Sequence, residues 1–291
     1  MIDNIKSTTT LANGVKMPWF GLGVFQIPDP DECRNAVIAA LEHGYRSIDT
    51  ALGYHNEEAV GEGIRSSGVP REEIFVASKL SGEHGYERAR TEFESALNKL
   101  GLDYLDIYFI HWPRPWEDKY IETYRALMEF VEAGKLRAIG VSNFLPEHIS
   151  RIHQELGVYP MVNQVERHPH YQRNDLKKFC ADRGIQLECY SPLMNSQLKD
   201  LPKTRAALQP IADKYGKNVY QICLRWQIDT GVVCINKSVH PERIRQNADI
   251  FDFSLDADDI AAISAIDDGQ HIFRSSYDDR GPVIHFYIEE A

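Results

Sequence analysis

Three different ionisable residues, Asp49, Lys79 and His111, stand about thirty positions apart, each just beyond a short apolar or β-rich run. The runs are 46–48 before Asp49, 74–77 before Lys79 and 107–110 before His111. A strand followed by a helix takes about thirty residues, so the recurrence places a reactive group at the same end of successive parallel strands. A barrel of alternating strands and helices meets that condition and builds its active site at those strand ends.

The rest of the chain keeps the same rhythm. Helical stripes are drawn over 31–43, 57–65, 86–100, 120–132, 146–156, 175–182, 219–229 and 241–248. Apolar or β-rich runs at 19–25, 105–110, 136–141, 161–165, 185–190 and 232–235 lie between them. Such alternation marks parallel strands buried on both faces, and the expected fold is an α/β (β/α)8 TIM barrel. Ahead of it, Thr8-Thr9-Thr10-Leu11, Ala12-Asn13-Gly14 and Val15-Lys16-Met17 read as a β-hairpin with a tight Asn-Gly turn that caps one barrel end. Gly21-Leu22-Gly23 lacks the third glycine and the following helix start that a doubly wound dinucleotide-binding sheet would require. No linker or shift of composition divides the chain, so residues 1–291 are expected to form a single domain.

Charge narrows the partners. Lys plus Arg number 32 against 43 Asp plus Glu, a net −11, which opposes nucleic acid and anionic membranes as ligands. The first residues lack a basic start and apolar block, and no run approaches a membrane span, so a cytoplasmic protein is expected, as a monomer. Cys33, Cys180, Cys189, Cys223 and Cys234 form no C-x-x-C pair and read as reduced, buried thiols. His168-Pro169-His170 resembles a metal pair, but the proline and the lack of a third ligand make it a loop; no metal is expected.

Four groups near the strand ends carry a coherent chemistry: Asp49, Tyr54, Lys79 and His111. A phenol has an ordinary pKa near 10, too high for efficient proton donation near neutrality. A lysine ammonium at about 4 Å, with an effective dielectric near 20, would stabilise the phenolate by roughly 4 kcal/mol. Asp49 would keep that lysine charged and oriented, and His111 would donate to a substrate oxygen. The rival for Lys79 is a Schiff-base aldolase, which needs a neutral amine and fits an aspartate neighbour less well.

A second set follows the later strands. Ser142 and Asn143, Gln164, and Tyr190 and Ser191 supply amides and an aromatic face, suited to a flat carboxamide-bearing ring such as nicotinamide. Lys237, Ser238, Arg243, Arg245 and Asn247 form a basic group around a helix start after Pro241, a phosphate site.

The motifs His43 to Ala51, Tyr54, Asn56-Glu57-Glu58, Ser78-Lys79, Tyr108 to Pro113, Gly140 to Phe144, Asn163 to Glu166, Tyr190 to Leu193 and Lys237-Ser238 together resemble the aldo-keto reductases, over about residues 8 to 268. The chain is most similar to the microbial group that includes 2,5-diketogluconate, glyoxal and methylglyoxal reductases and prostaglandin F synthase-like members. The resemblance implies reduction of an aldehyde or ketone with extended NADPH, Tyr54 as general acid, Lys79 and Asp49 as its tuning pair, and His111 as substrate orienter. It also implies cofactor contacts from Ser142, Asn143, Gln164, Tyr190, Ser191, Leu193, Lys237, Ser238, Val239, Arg243, Gln246 and Asn247. Phe25 and Trp112, with Tyr54 and His111, are the expected pocket walls. Some relatives in the family bind the nucleotide as regulatory subunits, the rival from another class. Asn236 and Gln246 stand where proline and glutamate are common, so NADH is expected as a weaker alternative to NADPH. Tyr190 stands where many microbial relatives have tryptophan, and the tail 271–291 departs from the pattern while being expected near the active-site face.

Overall fold

The computed structural model describes residues 2–81, 85–273, 288 and 290. An antiparallel hairpin, β1 (Thr8–Thr10) and β2 (Lys16–Pro18), precedes eight strands that close into a parallel barrel. These are β3 (Phe20–Gly23), β4 (Ser47–Asp49), β5 (Phe75–Leu80), β6 (Ile107–Ile110), β7 (Ile139–Ser142), β8 (Val162–Glu166), β9 (Gln186–Tyr190) and β10 (Val233–Asn236). The last returns to pair with the first, Ile235 against Gly21. Around them lie α1 (Pro30–Glu42), α2 (Glu57–Ser66), α3 (Tyr86–Leu100), α4 (Tyr120–Glu132), α5 (Pro146–Leu156), α6 (Asn174–Ala181), α7 (Pro202–Tyr215), α8 (Val219–Asp229), α9 (Pro241–Ala248) and α10 (Ala257–Ser264).

The expected barrel is therefore present, with eight helices at the expected places and two more among the described residues. The first addition, α7, carries Pro210 within it, and a proline inside a helical stripe reads on sequence as a break. The second, α10, is started by Asp256, whose carboxylate accepts from the Asp259 backbone N–H at 3.0 Å.

Alternation along the strands sorts side chains between two compartments. Phe75, Ala77, Ile107, Phe109, Ala138, Val162 and Val233 form one cluster inside the barrel. Val76, Leu80, Tyr108, Ile110, Val141 and Val165 belong to the larger cluster packed against the helices. Gly140 makes room for this filling, since a Cβ there would lie 2.4 Å from the Phe109 ring.

The hairpin closes the end where the strands begin. Leu11 and Met17 join the interior cluster, Asn13 Nδ2 donates to the Arg137 carbonyl at 2.9 Å, and Thr9 Oγ1 donates to Gln186 Oε1 at 3.2 Å. Its turn is looser than the expected Asn-Gly pair. Gly14 N–H reaches the Leu11 carbonyl at 2.8 Å and Leu11 N–H reaches Val15 at 2.9 Å, which makes a three-residue loop. Gly14 alone takes a positive φ there, +87°, the pattern of a type I turn followed by a left-handed glycine. The five cysteines are free and buried. Among the described residues no helix is long and apolar enough to cross a membrane.

Candidate active site

Two residues beyond Ala77 on β5, the interior turns polar. Lys79 is fully buried, and its Nζ donates to Asp49 Oδ1 at 2.5 Å and to the Thr50 carbonyl at 2.9 Å. Asp49 closes β4, and the chain then turns into a short 3-10 helix, Leu52–Tyr54, that swings Tyr54 back over the strand ends. Lys79 Nζ lies 5.2 Å from the centroid of the Tyr54 ring. His111 follows β6 directly, with its ring edge-on to Tyr54 at 5.8 Å between centroids, and its Nδ1 sits 3.2 Å from Ser81 Oγ. The four expected residues are thus brought together.

Asn56 holds this corner in place and was absent from the expected site. Buried beside Tyr54, it accepts from Thr50 Oγ1 at 2.7 Å and donates to the Val24 carbonyl at 2.9 Å. It therefore ties the turn that carries Tyr54 to the segment that carries Phe25. Phe25 stacks obliquely on Tyr54 at 5.0 Å. Trp112 is partly buried after His111, and no ring contact links it to this group among the described residues.

Phe273, at the foot of the atypical tail, completes an aromatic cup, 6.3 Å from Phe25 and 5.5 Å from Tyr190. Glu166, the last residue of β8, fixes it by accepting from the backbone N–H groups of Ile272 at 2.5 Å and Phe273 at 3.0 Å. The His168-Pro169-His170 loop serves the same anchoring. His168 Nε2 pairs with Glu166 at 2.9 Å, while His170 contacts Asp268 and Thr204 at 3.0 and 2.8 Å. The start of the tail thus lies at the active-site face, as expected; residues 274–287, 289 and 291 lie outside the described set.

Electrostatics departs from the expectation in one respect. Burial pulls the Lys79 ammonium down, but Asp49, Tyr54 and Glu188 outweigh it, so the amine is held above its usual value and stays charged. For the Tyr54 phenol burial is the larger effect and pushes it up; Lys79 opposes, Asp49 adds, and the net direction is up. Lys79 thus acts in the expected sense without bringing the phenol below its ordinary value. Desolvation of the phenolate outweighs one ammonium that is itself shared with Asp49.

The second set forms a network on the opposite rim. Ser142 Oγ donates to the Gln164 carbonyl at 2.9 Å, Tyr190 OH donates to Asn143 Oδ1 at 2.8 Å, and Asn143 Nδ2 donates to the His111 carbonyl at 3.1 Å. Asn143 and Ser191 have left-handed backbones, φ +62° and +52°, which aim them across the strand ends. Leu193, partly buried, stands before the 3-10 helix Met194–Asp200. Lys237, Ser238 and Val239 follow β10, and Arg243, Gln246 and Asn247 lie on α9. Lys237 and Arg243 are exposed and carry no ion pair among the described residues. Sequence reasoning also missed Glu188, an inward carboxyl on β9; period-two alternation from Tyr190 points to it.

Residues 19–268 match the sequence profile of the Aldo/keto reductase family. The chain belongs to this family. It is 49% identical over 273 residues to the glyoxal reductase of Bacillus subtilis, covering 94% of this chain and 97% of that protein. It is 42% identical over 262 residues to the methylglyoxal reductase DkgA of Escherichia coli, covering 90% and 94%. Among solved structures, the aldo-keto reductase of Bombyx mori in complex with NADP superposes with a TM-score of 0.86 at 34% identity, covering 96% of this chain and all of that one. As an aldo-keto reductase, the chain is an oxidoreductase.

Proposed function

We propose that this aldo-keto reductase uses NADPH to reduce small aldehydes and ketones, 1,2-dicarbonyls of the methylglyoxal type foremost, to alcohols. The observation that carries the reading is the buried Lys79 ammonium, held 2.5 Å from Asp49 and 5.2 Å from the Tyr54 ring, with His111 facing Tyr54 across an aromatic cup. Bound NADPH would supply the hydride for the carbonyl carbon. Tyr54 gives its hydroxyl proton to the carbonyl oxygen, and the phenolate left behind is stabilised by Lys79. His111 orients that oxygen, and Phe25, Tyr190 and Phe273 keep water from the reacting atoms.

The residues present suit the cofactor. Ser142, Asn143 and Gln164 offer amide and hydroxyl partners for a carboxamide, and the Tyr190 ring offers a stacking face. Lys237, Ser238, Arg243 and Asn247 would hold the adenosine 2′-phosphate, with Ser191, Leu193, Val239 and Gln246 lining the path between; NADH would bind more weakly. The names of the relatives favour a small dicarbonyl as substrate. An amine kept protonated by Asp49 is a poor nucleophile, so borohydride trapping of an adduct on Lys79 is expected to fail. The test is stoichiometric: with methylglyoxal, one alcohol product should form per NADPH oxidised. An absence of NADPH oxidation across methylglyoxal, aromatic aldehydes, keto-sugars and quinones would refute the reading.

A further inference from the structure

Glu188 has no part in the chemistry described so far, although it lies inside the barrel beside the reactive lysine. It is 2% exposed and paired in register with Gln164 on the neighbouring strand. Gln164 Nε2 donates to Glu188 Oε2 at 2.8 Å and to Asp49 Oδ2 at 2.9 Å, while the other oxygen of Asp49 receives Lys79. An amide nitrogen has two hydrogens and no acceptor capacity. Both hydrogens are committed to carboxyl groups, and a flipped amide would set its oxygen against the Asp49 carboxylate. The orientation is therefore fixed, and Oε1 is left facing away from them, with no hydrogen bond among the described residues.

We propose that Glu188 is a positioning residue for the reduction, locking the Gln164 amide so that its oxygen is presented to the N–H of the nicotinamide carboxamide. The proposal rests on the NADPH reading above. The polar and charged groups that face Glu188 are Gln164 from β8, Asp49 from β4 and Lys79 from β5, while β10 sets the apolar Val233 beside it. One ammonium thus serves two carboxyls. Burial, then the neighbouring Asp49, pushes the Glu188 carboxyl up to about 8, so near neutrality it keeps its proton. Its ionisation above that value places a second negative charge beside Lys79 and Tyr54, which makes Tyr54 a weaker acid.

Two substitutions separate the lock from mere filling of the interior. Glu188→Gln keeps an oxygen for Gln164 but has no proton to release; Glu188→Val removes the acceptor. The measurements are NADPH affinity by fluorescence titration of the full chain, and kcat with methylglyoxal as a function of pH. Glu188→Val should bind NADPH about tenfold more weakly, as for loss of one buried hydrogen bond, with kcat at saturating NADPH changed by less than about threefold. Glu188→Gln should bind within about twofold of the parent. Both should lose the inflection in kcat expected near pH 8. If Glu188→Val does not fold, the pH profile of Glu188→Gln still decides. Parental affinity in Glu188→Val, or an unchanged inflection in Glu188→Gln, overturns the assignment. Failure of the parent protein to bind NADPH would instead overturn the reading on which the assignment rests.

Discussion

Where the barrel strands begin, Phe75, Ile107, Val162 and Val233 fill the interior, with Leu11 and Met17 of the hairpin behind them. Further along the barrel, inward positions of β4, β5, β8 and β9 hold Asp49, Lys79, Gln164 and Glu188, bonded to one another. On β5 the change takes two residues, from Ala77 to Lys79. The first end gains its stability from apolar area removed from water. The second end buries charge, which is tolerated only because each group has a partner. The contrast teaches that the apolar end supplies the rigidity that holds the polar end in a geometry it could not maintain alone.

Substitutions at the two ends should therefore fail in different ways. Lys79→Met should have the largest effect: it removes the cation shared by Asp49, Tyr54 and Glu188, and turnover should fall by about a thousandfold or more. Steady-state NADPH oxidation checks this, alongside a circular dichroism spectrum showing an intact fold. At the other end, Phe75→Ala should cost about 3–5 kcal/mol of stability in denaturant unfolding. Its folded fraction should keep turnover within about threefold. A large loss of turnover in Phe75→Ala would erase the contrast.

A pH series sharpens it further. The Glu188 carboxyl is pushed up in the folded state, so folding favours its protonated form. That contribution is complete below the ordinary glutamate range near pH 4.5 and is lost as pH rises through about 8. Thermal melts should therefore show Glu188→Gln gaining on the parent between about pH 5 and pH 9, by an amount on the order of a few kcal/mol. A parallel shift at both pH values would mean that Glu188 does not titrate in this range. The smallest effect is expected outside the barrel, at the exposed Arg243. Arg243→Ala should raise KM for NADPH about tenfold and leave that for NADH within about twofold. Equal changes for both cofactors would remove Arg243 from the 2′-phosphate.

The barrel was legible because buried parallel strands leave apolar or β-rich runs, as at 107–110 and 136–141, and because the thirty-residue rhythm survives without any residue-level repeat. Lys79, Asp49 and His111 were legible because each stands at the end of such a run. Glu188 was not, because it sits in the middle of one, between Leu187 and Cys189, and its partners Gln164 and Asp49 come from other strands. Phe273 was hidden for a related reason: its place in the cup depends on Glu166, more than a hundred residues away in sequence. Pro210 concealed α7, since sequence alone does not tell a tolerated helical proline from a terminating one. The phenol's upward shift was missed because the ammonium was visible in the sequence while the depth of burial was not.

The central claim is that Tyr54, placed beside a charged lysine, supplies the proton during reduction. NADPH affinity and methylglyoxal turnover measured together on Tyr54→Phe test it most directly. The account predicts affinity within about twofold of the parent and turnover reduced by at least about a hundredfold. Turnover close to the parent value in a variant that still binds NADPH would contradict it.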